Sequence, residues 1–225
     1  MKLKMSRTAC AVLAGCALAG ALSACAPIVI GGAAVGTLMA ADRRTAGSQV
    51  EDEGIEMRAA GRIREQLGDR VHINVTSYNR QVLLTGEAAT AADAQKVEQI
   101  ALGVENVRSV VNDIGVMPNS SLSQRSNDTF ITGKVRASFV DAKDLYAAAF
   151  KVVTERNVVY LMGRVTQREA TRAAEIARGV NGVRKVVRVF EVISDDELRR
   201  GFAQQPAAAT RPAPVVQDPA AQSPN

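Results

Sequence analysis

The 225-residue chain has few of the side chains on which enzyme chemistry depends. Its one histidine, His72, lies on a predicted strand, so a histidine-based triad or a cluster of histidine metal ligands lacks its parts. The glycines form no phosphate-cradling motif. The acidic runs at 51–53 and 195–197 are explained as carboxylates near helix starts, where the helix dipole stabilises them. The sequence therefore predicts a protein that is not an enzyme, with no catalytic residue, no metal, no cofactor and no small-molecule substrate.

Aromatic residues are also scarce, with five Phe, three Tyr and no Trp, so the core must rest on Val, Ile, Leu and Ala. The formal net charge of +5 includes three cations in the first seven residues and does not indicate nucleic-acid binding. Residues 49–117 hold 7 basic and 11 acidic residues, whereas residues 127–193 hold 12 and 7. The two regions therefore have net charges of opposite sign, which indicates either that they have different roles or that they attract each other.

The three cysteines all lie within the first 25 residues. No acidic residue precedes Asp42, and the apolar run at 9–22 is too short to span a bilayer. It ends in Leu-Ser-Ala-Cys, where small residues fit a peptidase that cleaves ahead of a lipid-modified cysteine. We predict a signal peptide at 1–24 and lipidation at Cys25. The alternative is an ordinary signal peptide that happens to contain a cysteine.

Both ends of the remaining chain differ in composition from its middle. Residues 25–46 are predicted to be the lipidated cysteine and a flexible tether, rich in small apolar residues. Residues 194–225 are predicted to be a short helical end and a disordered tail, because five of the seven prolines fall between Pro206 and Pro224. Ala26, rather than Asp, follows the cysteine, which favours the outer membrane over the inner one. We expect a lipid anchor there, with the domains facing the periplasm.

An internal repeat organises the middle of the chain. Residues 73–86 align with 150–163, and residues 100–112 align with 176–188 after a shift of one residue. The repeat predicts two domains, at 47–117 and 127–193, that are joined by a linker at 118–126.

Each copy reads α-β-β-α-β, which predicts an α+β fold: two tandem domains, each a small three-stranded mixed sheet packed by two helices. Apolar residues at four-residue steps mark the first helix of each copy, and period-two alternation marks the strands. In the first copy the last strand is predicted over 107–116. In the second copy the elements are predicted at 128–140, 149–154, 158–162, 166–178 and 183–193.

The motifs LLTG…GVENV (83–107) and YLMG…GVNGV (160–183) resemble those of the BON domain of bacterial envelope proteins. We expect the first glycine of each motif to serve a tight turn and the second a left-handed helix cap. The whole chain resembles the dual BON-domain lipoproteins of Gram-negative outer membranes. That resemblance implies that the second domain binds anionic phospholipid, and that the protein supports outer-membrane integrity and concentrates at division sites.

Phe130 is the residue that most invites a functional interpretation. With Asn127 or Asp128 as the N-cap, it would lie at the exposed start of a helix whose core stripe is Ile131, Val135 and Phe139. An exposed ring one turn from a lysine fits insertion among lipid headgroups. The alternative is that Phe130 packs against the other domain or its own core. The predicted lipid-binding residues are Phe130, Lys134, Ala137 and Asp141.

Two other functions remain open. The acidic first domain could hold an envelope protein partner, such as a regulator of a cell-wall hydrolase, as an adaptor would. The two domains could also bind each other as a compact scaffold, which high salt would then separate.

Overall fold

The computed structural model describes residues 43–204, with side chains described up to Arg200. The first domain comprises α1 (Ala46–Leu67), β1 (Val71–Tyr78), β2 (Gln81–Ala88), α2 (Ala91–Leu102), β3 (Ser109–Asn112) and β4 (Gly115–Val116). The second comprises α3 (Leu122–Asp141), β5 (Phe150–Glu155), β6 (Val158–Val165), α4 (Gln167–Gly179) and β7 (Lys185–Val192), and α5 (Asp195–Gln204) follows it. The predicted signal peptide, Cys25, most of the tether and most of the tail lie outside the described residues.

Both sheets have the predicted mixed topology. In each, a hairpin pairs the first two strands antiparallel, and the last strand pairs parallel with the second strand of the hairpin. The α+β fold of two tandem αββαβ domains is confirmed. In the first domain the last strand is split into β3 and β4, because Asp113 and Ile114 leave the ladder between them.

The predicted helical stripes form the two cores. Ile55, Ala59, Ile63 and Leu67 of α1 are buried, as are their counterparts in α3, Ile131, Val135 and Phe139. Each stripe packs on the apolar residues of one sheet face, together with Val97, Ile100 and Ala101 of α2 in the first core or with alanines of α4 in the second. Burial of these aliphatic side chains is the main source of stability in a chain with so few aromatics.

The predicted start of the third helix was wrong. Helix α3 begins at Leu122, six residues before the predicted start, and its N-cap is Ser121. The Ser121 hydroxyl accepts from the backbone N–H of Gln124, while the Gln124 side chain accepts from the backbone of Ser121. This capping box makes the last residues of the predicted linker helical. Phe130 consequently lies in the middle of α3 and not at its start.

The roles predicted for the glycines were also wrong. Gly86 and Gly163 lie inside β2 and β6, opposite Ile73 and Phe150. A Cβ atom on Gly86 would lie 2.0 Å from the carbonyl oxygen of His72, and one on Gly163 would lie 2.4 Å from that of Ala149. Glycine is needed there because the neighbouring backbone approaches too closely for any side chain.

The second glycine of each motif does not form a left-handed cap. Gly103 caps α2 with φ of −82°. Gly179 is the last residue of α4 and is not among the positive-φ residues of the described chain. These positions therefore end helices without the left-handed conformation that was expected.

A buried aspartate on the first helix of each domain binds the hairpin turn of the same domain. Asp52 accepts hydrogen bonds from the backbone N–H groups of Asn79 and Arg80 at 2.7 and 2.8 Å. Asp128 accepts from Arg156 and Asn157, both at 2.8 Å. All four turn residues have positive φ. The two carboxylates thus hold both turns in a left-handed conformation.

For Asp52 the helix-dipole explanation was therefore wrong. It lies two turns into α1, whose N-cap is Thr45, and it is 1 % exposed. Burial raises the pKa of its carboxyl, but hydrogen bonds from the N–H of Arg80 and the hydroxyl of Ser77 outweigh burial and hold the pKa below its usual value.

The two domains pack on each other through the sheet faces that their helices leave uncovered. Leu83 of β2 meets Tyr160 and Met162 of β6, and all three are completely buried. The Tyr160 hydroxyl donates to Asp113 of the first domain at 2.7 Å. The guanidinium of Arg156 donates to the carbonyl of Gly86 and lies 3.3 Å from the carboxylate of Glu87. An apolar centre with a polar rim joins the domains.

Candidate functional site: the outer face of helix α3

Helix α3 carries the four residues that were predicted to bind lipid. Phe130 is 65 % exposed, although its neighbour Ile131 is completely buried. Ala137 and Asp141 are exposed further along the same helix, and Lys134 lies between them and Phe130. The structure therefore places all four on the outer side of α3, and the alternative that Phe130 packs in a core or against the first domain does not hold.

Lys134 is the centre of this face. Its ammonium lies 4.8 Å from the centroid of the Phe130 ring, within the range of a cation–π contact. The same ammonium donates to the backbone carbonyl of Asn181, in the loop between α4 and β7. Since an ammonium has three N–H donors, these contacts fix the position of Lys134 and leave donors for an anion.

A shallow groove continues from Lys134 along α3. One wall is formed by Lys134, Ala137, Ser138 and Asp141, and the other by the end of α4 and the loop that follows it: Ile176, Gly179, Val180 and Asn181. The groove is open to solvent and mixes apolar and polar atoms. Its shape fits an extended amphipathic group better than an enclosed small molecule.

The first domain has the same framework but a different face. Ile55 and Ile131 occupy equivalent places in the two stripes, so Phe130 corresponds to Gly54 and Lys134 to Arg58. Arg58 donates to the carbonyl of Glu105 at 3.4 Å, as Lys134 does to the equivalent residue of the second domain.

The electrostatics of the two faces also differ. Arg58 forms an ion pair with Glu51 at 2.7 Å. Hydrogen bonds from Arg58 and Asn106 hold the pKa of the Glu51 carboxyl below its usual value. Asn127 occupies the place of Glu51 in α3, so the cation of the second domain has no carboxylate at this position. The ring and the unneutralised lysine are features of the second domain.

The groove differs as well. In the first domain Arg62 donates to the carbonyl of Gly103 at 2.9 Å and so spans the space between α1 and the end of α2. The equivalent residue of α3 is Ser138, whose hydroxyl donates back to the carbonyl of Lys134 at 3.0 Å. A short side chain that turns back onto its own helix leaves the groove accessible.

Other basic residues of the second domain, and the histidine of the first, lie away from this face. Arg136 donates to the carbonyl of Val152 at 3.3 Å, on another side of α3. Three further cations are exposed: Arg184 just before β7, and Lys185 and Arg188 within it. His72 lies on β1, and its Nδ1 is 3.3 Å from the buried carboxylate of Glu87.

Residues 43–200 contain no group of three or more histidine, cysteine, aspartate or glutamate side chains that could hold a metal ion. Among the helices that the structure describes, none is both long and apolar enough to cross a bilayer. Cys25 lies outside the described residues, so its lipidation stays a prediction.

Comparison with known proteins decides the family. The model of the BON domain matches twice, at residues 55–118 and 127–194. The chain belongs to the BON family. The two matches coincide with the two αββαβ units, and the resemblance inferred from the glycine motifs is confirmed.

Two relatives span most of the chain. The outer membrane lipoprotein DolP of Haemophilus influenzae is 37 % identical over 175 residues, which cover 76 % of this chain and 90 % of that protein. The 21 kDa hemolysin of Actinobacillus pleuropneumoniae is 36 % identical over 154 residues, with coverage of 68 % and 79 %. A structure of CdsD, a type III secretion protein of Chlamydia trachomatis, is 11 % identical and covers 71 % of this chain and 99 % of that one, with a TM-score of 0.28.

Proposed function

We propose that this protein is a non-enzymatic outer-membrane lipoprotein that binds anionic phospholipid through helix α3 of its second domain. Acylated Cys25 anchors it, and its domains face the periplasm. By binding lipid locally it supports outer-membrane integrity, including at division sites. The family membership and the similarity to an outer membrane lipoprotein support the anchored location.

The observation that carries the lipid proposal is the exposed Phe130 ring beside Lys134. Complete burial of a phenylalanine side chain contributes roughly 1.5–3 kcal/mol, so a ring that enters the headgroup region gains only part of that, and a basic residue near an anionic surface adds about 1 kcal/mol. This gives weak, salt-sensitive binding. Weak binding is sufficient for an anchored protein, because the anchor raises the local concentration of lipid around it.

Vesicle co-sedimentation of the unacylated mature chain tests this proposal; this Cys25→Ser chain comprises residues 25–225 and lacks the predicted signal peptide. We expect binding to vesicles that contain anionic lipid and none to zwitterionic ones, with loss of binding in Phe130→Glu. The matched control is Met57→Glu, because Met57 is 71 % exposed on the equivalent helix of the first domain. It should bind as the parent does. Equal binding by Phe130→Glu and the parent would refute the proposal, and no binding by any form would favour a protein-binding adaptor.

A further inference from the structure

The turn between α4 and β7 contains the dipeptide Asn181-Gly182 beside Lys134. The N–H of Val183 donates to the carbonyl of Val180 at 3.1 Å and closes the turn, and Gly182 has φ of 100°. Both residues of the dipeptide are exposed. The carbonyl of Asn181 accepts from the ammonium of Lys134, so this turn borders the proposed lipid-binding face of α3.

The fold requires glycine at position 182. A φ of 100° lies in a region that side chains rarely adopt. A Cβ atom there would also lie 3.1 Å from Cδ1 of Ile131, a completely buried residue of the core stripe. By contrast, Asn181 is exposed, and its side chain makes no hydrogen bond with any part of the described chain. The glycine is therefore fixed by packing, whereas the asparagine before it is not.

An asparagine that precedes glycine has a known chemical liability. The backbone nitrogen of the glycine can attack Cγ of the asparagine, because a residue without a Cβ atom does not shield that nitrogen. At Gly182 the N–H donates to none of the residues that the structure describes, so it is free to lose its proton. Asn181 is the only asparagine of the 225-residue chain that precedes glycine.

We propose that Asn181 is a site of spontaneous deamidation, and that the product weakens the proposed lipid-binding face of α3. The nitrogen of Gly182 forms a bond to Cγ of Asn181, the bond from Cγ to the side-chain nitrogen breaks, and ammonia leaves with the proton that the Gly182 nitrogen gave up. Water then adds to one of the two carbonyl carbons of the cyclic imide and opens it. The products are aspartate and isoaspartate; one water is consumed, one ammonia is released, and nothing is oxidised or reduced.

The consequence depends on where the new carboxylate lies, and it rests on the proposed lipid-binding function. Aspartate at position 181 brings a negative charge beside the ammonium of Lys134, which already contacts the carbonyl of this residue. Isoaspartate routes the backbone through the former side chain, lengthens it by one methylene and displaces that carbonyl as well. Either product offsets the cation that is proposed to meet the lipid phosphate, and its own charge is repelled by an anionic surface.

The first domain already has a carboxyl group at this position. Glu105 occupies the place of Asn181, and its carbonyl accepts from Arg58 at 3.4 Å. The helix that it borders has Gly54 where α3 has Phe130. A carboxylate in this turn is therefore compatible with the fold, so we expect deamidation to change the charge of the outer face and not the packing beneath it.

Peptide mass spectrometry tests the modification itself. The unacylated mature chain is aged in warm, mildly alkaline buffer, which favours loss of the proton from the Gly182 nitrogen, and is then digested with trypsin. The peptide 179–184 reports on Asn181. The peptide 97–108 reports on Asn106 as an internal control, because Asn106 lies in the equivalent turn of the first domain but precedes valine.

We expect Asn181 to convert on the order of tenfold faster than Asn106 or more, because the branched side chain of Val107 shields the nitrogen that would attack. The converted peptide should appear as two products of equal mass that separate by chromatography, as aspartate and isoaspartate do. Conversion of Asn181 no faster than that of Asn106 would overturn the proposed site.

Vesicle co-sedimentation tests the consequence. Asn181→Asp should bind anionic vesicles about fivefold more weakly than the parent, the factor that corresponds to one basic residue near an anionic surface. Asn181→Gln keeps an amide whose longer side chain cyclises slowly, so it should bind as the parent does and lose no affinity on ageing. Gln95→Glu makes the same change from amide to carboxylate at an exposed position of α2, and it should also bind as the parent does.

The outcomes separate this inference from the proposed function. Binding of Asn181→Asp as strong as that of the parent would overturn the consequence while lipid binding stands. Equal losses in Asn181→Asp and Gln95→Glu would overturn it too, because total charge rather than this face would then be responsible. A parent that does not bind anionic vesicles would refute the lipid-binding function and the consequence together, and the mass measurement would still decide the modification site.

Discussion

Helices α1 and α3 occupy equivalent places in two domains of one family, and they differ mainly on their outer faces. Their inner stripes and their buried aspartates are alike, because both serve to close the same small core. On the outer face, Gly54 beside a neutralised Arg58 contrasts with Phe130 beside Lys134. The comparison indicates that both copies keep the residues that make the fold and differ in the residues on the outer face of this helix.

The largest predicted effect is separation of the two domains by a substitution at their junction. Leu83 is completely buried between the sheets, so Leu83→Asp would bury an unpaired charge and should separate the domains. Small-angle scattering should then show a larger radius of gyration. The control Val50→Asp, at a position 68 % exposed on α1, should leave the radius unchanged.

High salt distinguishes an apolar junction between the domains from one held by their opposite charges. At 1 M salt the screening length is about 3 Å, yet an apolar junction should persist, so the scattering of the parent should not change. Separation of the domains by salt alone would show that their opposite charges, rather than the buried apolar residues, hold them together.

The equivalent aspartates should differ in importance. Asp52 accepts from Ser77 and Arg44 as well as from its turn, whereas the contacts of Asp128 described above are with its turn alone. We expect Asp52→Ala to lower the free energy of unfolding by about 4 kcal/mol and Asp128→Ala by about 2 kcal/mol, because each unpaired buried donor costs about 1–3 kcal/mol. Urea unfolding of the Cys25→Ser chain measures both. A larger loss for Asp128→Ala would contradict this account.

Acid should weaken the ion pair in which the guanidinium of Arg43 donates to both carboxylate oxygens of Glu169 in α4, at 2.8 and 2.6 Å. The pKa of Glu169 is about 2 in the folded protein, because hydrogen bonds from Arg43 and Thr166 and the charge of Arg43 outweigh burial. Since the pKa is near its ordinary value in the unfolded chain, the ionised carboxylate contributes about 3 kcal/mol to the free energy of unfolding above pH 5, and this contribution is lost as the pH falls toward 2. The difference in unfolding free energy between the parent and Glu169→Gln should therefore shrink between pH 6 and pH 2.5. A difference that does not vary with pH would count against an ionised Glu169 held by Arg43 and Thr166.

The smallest predicted effect comes from giving α1 of the first domain the outer-face residues of α3, which are proposed to bind lipid. Gly54→Phe combined with Glu51→Asn should give the first domain weak affinity for anionic vesicles, on the order of tenfold above background, from one ring and one unneutralised cation. A Cβ atom at Gly54 would meet only the mobile end of Arg58. Co-sedimentation in a Phe130→Glu background measures the gain, and no gain would mean that the groove beside Ser138 is also required.

The sequence predicted what depends on local pattern. Four-residue steps and alternation located the helical stripes and the strands, because these periods follow directly from helix and strand geometry. The start of α3 was missed although its signal was present: Ser121 and Gln124 have the spacing of a capping box. The domain junction also had a signal, since the apolar run Val158–Met162 is continuous, as in a strand buried on both faces.

The remaining features depend on contacts that no local pattern encodes. The guanidinium of Arg43 donates to Glu169, which is 126 residues away in the sequence. The hydroxyl of Tyr160 donates to Asp113, which is 47 residues away. Phe130 was identified correctly as exposed, but from an incorrect helix start. Its exposure follows from its place beside the core stripe, which holds wherever the helix begins.

The most direct test of the difference between α1 and α3 uses two single-tryptophan forms of the Cys25→Ser chain, Phe130→Trp and Gly54→Trp. Each is mixed with vesicles of brominated anionic lipid, and quenching is measured. The account predicts strong quenching of tryptophan at position 130 and little at position 54. Equal quenching at both positions, or quenching at 54 alone, would contradict it.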